Sequence, residues 1–232
     1  MCLRKIDIFP VRFLKKVKDF LAVINITMHN NESVINPLFK EISSDEQRPL
    51  YNYPKIIWIY WHSADNIPEV VKICIERIHF FCPDYKINIL NESNVSDFID
   101  LPEVPKDLPI AIVADLIRLM LLEKYGGVWM DSSIFLNEDL GWVYSEIDNH
   151  DAFVFYSDEC TLDESNPVTE NWFIIAPENS KFIKCWLKEF SACIFSGNPT
   201  AYYNSEKNDK GFIQKLTQPD YLLCYISAMK VT

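Results

Sequence analysis

Asp115, Arg118 and Asp131 are the residues whose types and spacing suit chemistry. Asp115 and Arg118 are i and i+3 within Ala114-Asp115-Leu116-Ile117-Arg118, so on a helix they share one face. A carboxylate and a guanidinium fixed side by side offer hydroxyl-rich ligands both acceptors and paired donors. The same pair also reads as a solvated ion pair worth less than about 1 kcal/mol. Asp131 closes the apolar run Val128-Trp129-Met130 and precedes Ser132 and Ser133. In α/β sheets, ligands bind beyond the carboxyl ends of strands. A carboxylate there, followed by hydroxyls, makes an oxygen site for Mg²⁺ or Mn²⁺, ions typically held by one or two carboxylates together with substrate phosphates. An ordinary turn uses the same residue types.

The segments that would position these groups have strong patterns. Pro109 to Tyr125 has helical spacing of Ile112, Leu116, Leu119, Met120 and Leu122, and Gly126-Gly127 supplies the stop. Strands are expected at 55–60, 85–90, 128–130, 152–156 and 171–176. Helices are expected at 68–81 and 180–195, with a short one from Ser93 to Ile99 and a last one at 219–229; residues 196–211 read as a polar loop. From Pro54 onward, strands and helices alternate in a Rossmann-like α/β order. Residues 11–28 carry Phe13, Leu14, Val17, Phe20, Leu21 and Ile24 on one stripe, with most of the lysines off it. This predicts an amphipathic helix that either docks on the body or lies on an anionic membrane surface. Residues 29–52 read as a linker, dividing the chain into a 1–52 N-terminal region and a 53–232 domain.

Composition sets the limits. The 232 residues are 49% hydrophobic and 24% charged, an ordinary globular balance. The net charge of −11 argues against nucleic acid as a partner. Seven cysteines show no zinc-like spacing and are expected to be reduced, buried thiols, several of them on helices (Cys74, Cys185, Cys193). No run is long and apolar enough for a membrane span, and the N-terminus lacks the pattern of a signal peptide. The expected location is therefore cytoplasmic, with possible peripheral contact at the inner membrane face through 11–28, and the four Asn-x-Ser/Thr matches are expected to carry no sugar.

Four blocks resemble glycosyltransferase family 32 and its capsular-polysaccharide-synthesis relatives. They are Pro54-Lys55-Ile56-Ile57-Trp58 with Trp61, Cys82-Pro83-Asp84-Tyr85, Ala114-Asp115-Leu116-Ile117-Arg118, and Lys124-Tyr125-Gly126-Gly127-Val128-Trp129-Met130-Asp131. A weaker block, Asn171-Trp172-Phe173-Ile174-Ile175-Ala176, follows. The resemblance implies a GT-A-like single Rossmann-type domain with a mixed central sheet. It implies a nucleotide-sugar co-substrate, UDP- or GDP-linked, with Mn²⁺ or Mg²⁺ bridging the diphosphate. By position, Asp115 and Arg118 correspond to the pair that holds the donor sugar, and Asp131 to the first acid of an Asp-x-Asp metal motif. Trp58 or Trp61 would lie near the base, and Asn171 would contact the donor. Ser133 stands where the second acid would be, and the C-terminal side is short for the family.

The expected function is retaining, metal-assisted sugar transfer to a polysaccharide or lipid-linked glycan acceptor. The alternative is a non-catalytic nucleotide-sugar or glycan-binding relative. A metal-dependent hydrolase would need a second acid or a histidine, and only His62 lies close to a motif.

Overall fold

The computed structural model describes residues Ile6–Val11, Lys40–Ile42, 51–147 and 150–232. The fold is mixed α/β. Five strands form its body: β3 (Ile56–Tyr60), β4 (Lys86–Leu90), β5 (Gly127–Met130), β6 (Ala152–Ser157) and β7 (Thr169–Ala176). β1 (Ile6–Val11) and β2 (Lys40–Ile42) extend one edge, giving the order β2-β1-β6-β7-β5-β3-β4. β3 pairs in parallel with β4 and β5, while β7 runs antiparallel between β5 and β6.

Side chains alternate across the sheet as the two-residue strand period requires. Ile57 and Ile59 with Val128 and Met130 serve one face; Trp58 and Tyr60 with Trp129 serve the other. On the first face lie α1 (Glu69–Phe81), which buries Val71, Cys74 and Ile78, and the short α3 (Gly141–Tyr144). On the second lie α2 (Ile110–Tyr125), α4 (Lys181–Ile194) and α8 (Leu223–Val231). α2 is buried on nearly all sides, through Ile112, Leu116, Ile117, Leu119, Leu121 and Leu122, because α4 and α8 cover the flank that the sheet does not.

Two features fix α2 against β5. Gly126 caps the helix at φ 60°, its N–H bonding the Leu122 carbonyl at 2.9 Å, and Gly127 follows at φ 92°. A Cβ on Gly126 would lie 2.5 Å from Glu178 N, and one on Gly127 2.6 Å from Ile56 O. Both positions therefore need glycine for conformation and for room. α4 is held at its start by Asp151, which is fully buried and accepts from Lys181 N at 3.0 Å and Phe182 N at 2.7 Å. Trp186 of α4 donates from Nε1 to the Cys224 carbonyl and to Ser227 Oγ, both at 3.0 Å, which pins α8.

The strands and long helices fall within a residue or two of their expected limits. Between Ser93 and Ile99 only one 3-10 turn forms, Val95–Asp97. The expected polar loop at 196–211 is instead built from α5 (Pro199–Tyr202), α6 (Asn204–Asn208) and α7 (Lys210–Ile213). Asn198 and Asp209 provide side-chain caps that make such short helices viable. The last helix begins at Leu223, not 219, because Gln218 at φ 55° turns the chain first. The amphipathic helix expected over 11–28 lies outside the described residues except for Val11, which ends β1. Within the expected linker, Lys40–Ile42 pairs with β1, and β1 pairs in parallel with β6. Cys74, Cys82, Cys160, Cys193 and Cys224 carry free thiols, whereas Cys185 is disulfide-bonded, against the expectation of uniformly reduced cysteines. Among the described residues, no helix is long and apolar enough to cross a membrane.

Candidate functional site

The chain leaves β3 for β4 on one side and returns to β5 on the other. The carboxyl ends of β3 and β5 therefore face a crevice where the strand order reverses. A cavity of about 400 Å³ opens there. Tyr60, Trp61 and His62 border it from the end of β3, and Asp131, Ser132 and Ser133 from the turn after β5. Asp115 and Arg118 of α2, Asn171 and Trp172 of β7, and Tyr221 and Tyr225 complete its wall.

The polar centre is built from three elements. Arg118 is 3% exposed and reaches from α2 to the end of β5, with Nη2 2.7 Å from Asp131 Oδ1. Its Nη1 lies 3.1 Å from Asp115 Oδ1. Trp129 and Asp131 are two apart on a strand, so both side chains leave the same face. The Trp129 indole donates to Asp131 Oδ1 at 2.8 Å, and its ring lies beneath the guanidinium at 4.8 Å. Asn171 Nδ2 donates to Asp115 Oδ1 at 2.9 Å from the opposite wall. Asp131 Oδ1 thus accepts two hydrogen bonds and Asp115 Oδ1 one from within, while Asp131 remains 38% and Asp115 16% exposed.

The electrostatics follow from this packing. Burial pushes the Asp115 carboxyl up to about 7, with nearby Asp131 adding to the rise; Arg118 and the Asn171 hydrogen bond oppose it. For Arg118, burial favours the neutral form, but Asp131 and Asp115 outweigh it and raise the guanidinium above its ordinary value. Arg118 therefore stays charged, a buried cation between two acids. Such a pair is retained more readily for placing charge than for stability, because desolvation offsets much of the attraction.

Asp115, Arg118, Asp131, Ser133, Asn171 and Trp61 all border the one cleft. Trp58 does not. It is 2% exposed, its Nε1 donates to the Gly126 carbonyl at 2.9 Å, and its ring packs on Phe98 and Tyr125. Position along the strand explains the difference: Trp58 is an interior strand residue beneath α2, whereas Trp61 follows the last residue of the strand. Sequence reasoning passed over Trp129, although the Trp-x-Asp spacing places its ring beside Asp131. It also passed over Tyr221, Tyr225 and Trp172, whose apolar surroundings read as core. Tyr221 and Tyr225 reach the cleft only through the docking of α8, which no local pattern reveals.

Among the described residues, no group of three or more His, Cys, Asp or Glu side chains is placed to hold a metal ion. Asp131 Oδ1 is occupied by Arg118 and Trp129. That leaves Oδ2, with Ser132 and Ser133 lining the same cleft, as the oxygen donors available there. This set fits an ion that a ligand's phosphates help to hold, not one caged by protein alone.

The model of the family described as "Capsular polysaccharide synthesis protein" matches residues 14–202, well over half the chain, and the chain belongs to that family. A curated relative, "O-glycosyltransferase braB" of Annulohypoxylon truncatum, is 30% identical over 155 residues, covering 59% of this chain and 37% of the relative. The chain thus spans little more than a third of that relative's length. A solved structure described as "PaToxG Glycosyltransferase" superposes with a TM-score of 0.46 at 18% identity, covering 78% of this chain and 69% of that one.

Proposed function

We propose that the protein is a glycosyltransferase that takes a sugar from a nucleoside diphosphate donor. The observation that carries this reading is the convergence of Asp115, Arg118, Asp131 and Asn171 in one open cleft at the strand-order reversal. The family match and the printed name of the curated relative support it.

In this reading Asp115 accepts hydrogen bonds from the donor's sugar hydroxyls, and Asn171 fixes its carboxylate. Arg118 holds Asp115 and Asp131 in register and supplies positive charge behind them. Asp131, with Ser132 and Ser133, faces the diphosphate and would hold Mn²⁺ or Mg²⁺ there. When bound, the ion would neutralise negative charge on the departing diphosphate. Ser133 stands where the resemblance to glycosyltransferase family 32 puts a second acid, so ion affinity without donor would be weak. Trp61 would lie toward the base. Retention of anomeric configuration, with a donor phosphate oxygen taking the acceptor's proton, fits a cleft for which we assign no protein base. The acceptor would be a growing polysaccharide or a lipid-linked glycan.

The single motif carboxylate favours one further reading, a donor-binding relative without transfer activity. Thermal unfolding with Mn²⁺ and a panel of UDP- and GDP-sugars tests both. A ligand at about 100 times its Kd stabilises by about 2.7 kcal/mol. One donor should raise the Tm, and that donor should be hydrolysed or transferred. Binding without turnover supports the second reading; no shift with any donor rejects both.

A further inference from the structure

We infer that Trp172 is a carbohydrate-stacking platform on the acceptor flank of the cleft, held in place by Phe155 and Glu170. The inference rests on the reading of the cleft as a glycosyl-transfer site.

Trp172 lies on β7, packs with Phe155 against the face of the sheet that carries Val128 and Met130, and borders the cleft beside Asn171. One face of its ring stacks on Phe155 of β6, with centroids 4.4 Å apart and planes 11° apart. Its Nε1 donates to Glu170, a carboxylate only 3% exposed. Stacking fixes the plane of the ring and the hydrogen bond fixes its rotation within that plane. A buried carboxylate is a costly way to orient a surface tryptophan unless that orientation has a use. The residue is still partly exposed.

The flanks of the cleft also differ. β5 lies between β3 and β7, so Asp131 at its end stands between the Tyr60-Trp61-His62 flank and the Trp172 flank. With the base toward Trp61, the second flank is left for the acceptor. Tyr221, 49% exposed, Tyr225, and Ile110, 51% exposed, line the same cavity. Flat aromatic surface with few charges suits the apolar face of a pyranose, whereas a peptide acceptor would need backbone hydrogen-bonding groups.

Indole ¹⁵N–¹H spectra test the inference, with the Trp172 signal assigned by its loss in Trp172→Phe. The probes are the methyl glycosides of glucose, galactose, mannose and N-acetylglucosamine, and separately UDP and GDP. At least one glycoside should move the Trp172 signal, and saturation transfer to that glycoside should weaken about tenfold in Trp172→Ala. Glu170→Gln keeps an acceptor oxygen and should keep the shift, whereas Glu170→Leu should weaken glycoside binding several-fold without lowering the affinity for nucleotide. Should Glu170→Leu fail to fold, the Trp172 variants carry the test. A Trp172 signal that no glycoside moves overturns the inference, as does one moved by UDP or GDP alone. A glycoside that moves it in a protein binding no nucleotide sugar would sustain the platform while rejecting the proposed donor.

Discussion

Arg118 Nη2 sits 2.7 Å from Asp131 Oδ1, so a helix residue and a strand-end residue share one buried charge. Removing the cation leaves two carboxylates facing each other in a low-dielectric setting. Arg118→Ala should therefore abolish donor binding and lower Tm, because an unpaired buried charge costs about 3–5 kcal/mol. Arg118→Lys should not restore activity, since an ammonium cannot span both acids as a planar fork does. Calorimetric titration with the best donor, run beside thermal melts, checks both.

Asp131→Ala and Asp115→Ala should each reduce transfer by at least about 100-fold, the scale for losing one preorganised polar contact to a transition state. Each removes one of the two acids that pair with the buried Arg118, so Tm should fall, while the remaining acid keeps the cation paired and the fold should persist. Steady-state rates with circular dichroism as the fold control decide the matter. Activity near the parent level in either variant would count against the proposed roles.

The raised Asp115 pKa gives a pH signature. Its folded value of about 7 lies above the ordinary 3.8, so the folded protein holds this proton more tightly than the unfolded chain. The resulting contribution to stability is complete below about pH 4 and is lost as pH rises through 7. Within that window this group makes stability fall as pH rises. The difference in unfolding midpoint between the parent and Asp115→Asn, measured from pH 4.5 to 8, should change in this sense and level off above about pH 7. Transfer that needs the ionised carboxylate should rise over the same interval.

Gly127→Ala should cost several kcal/mol. The added Cβ would meet Ile56 O at 2.6 Å, and the backbone stands at φ 92°. Because Ile56 opens β3, the strain would fall on the β3–β5 pairing that places Asp131. Urea midpoints report the loss, and an unchanged midpoint would show that this seam gives way easily.

Asp151→Ala should lower stability by about 1–3 kcal/mol, the penalty for orphaned buried donors, here the two amides at the start of α4. Denaturant unfolding measures it directly.

The α/β alternation was legible because each strand has its own apolar run and Gly126-Gly127 marks the end of α2. The pairing of Asp115 with Arg118 follows from helical spacing, and the position of Asp131 from the strand that precedes it. What local patterns conceal is the partner across space. Asn171 reaches Asp115 because β7 packs beside β5, a pairing of distant segments. Trp58 shows the opposite limit, since an aromatic in a strand motif looks alike whether it borders a cleft or fills the core. The short helices between 199 and 213 depend on individual caps at Asn198 and Asp209, which weigh little in a composition-based reading.

The two flanks of the cleft come from separate stretches of chain, residues 60–62 and residues 171–225, which stand on either side of Asp131. Evolution can therefore retune one flank while leaving the other intact. Under the proposed function, a scaffold arranged this way would change what it modifies without changing what it spends.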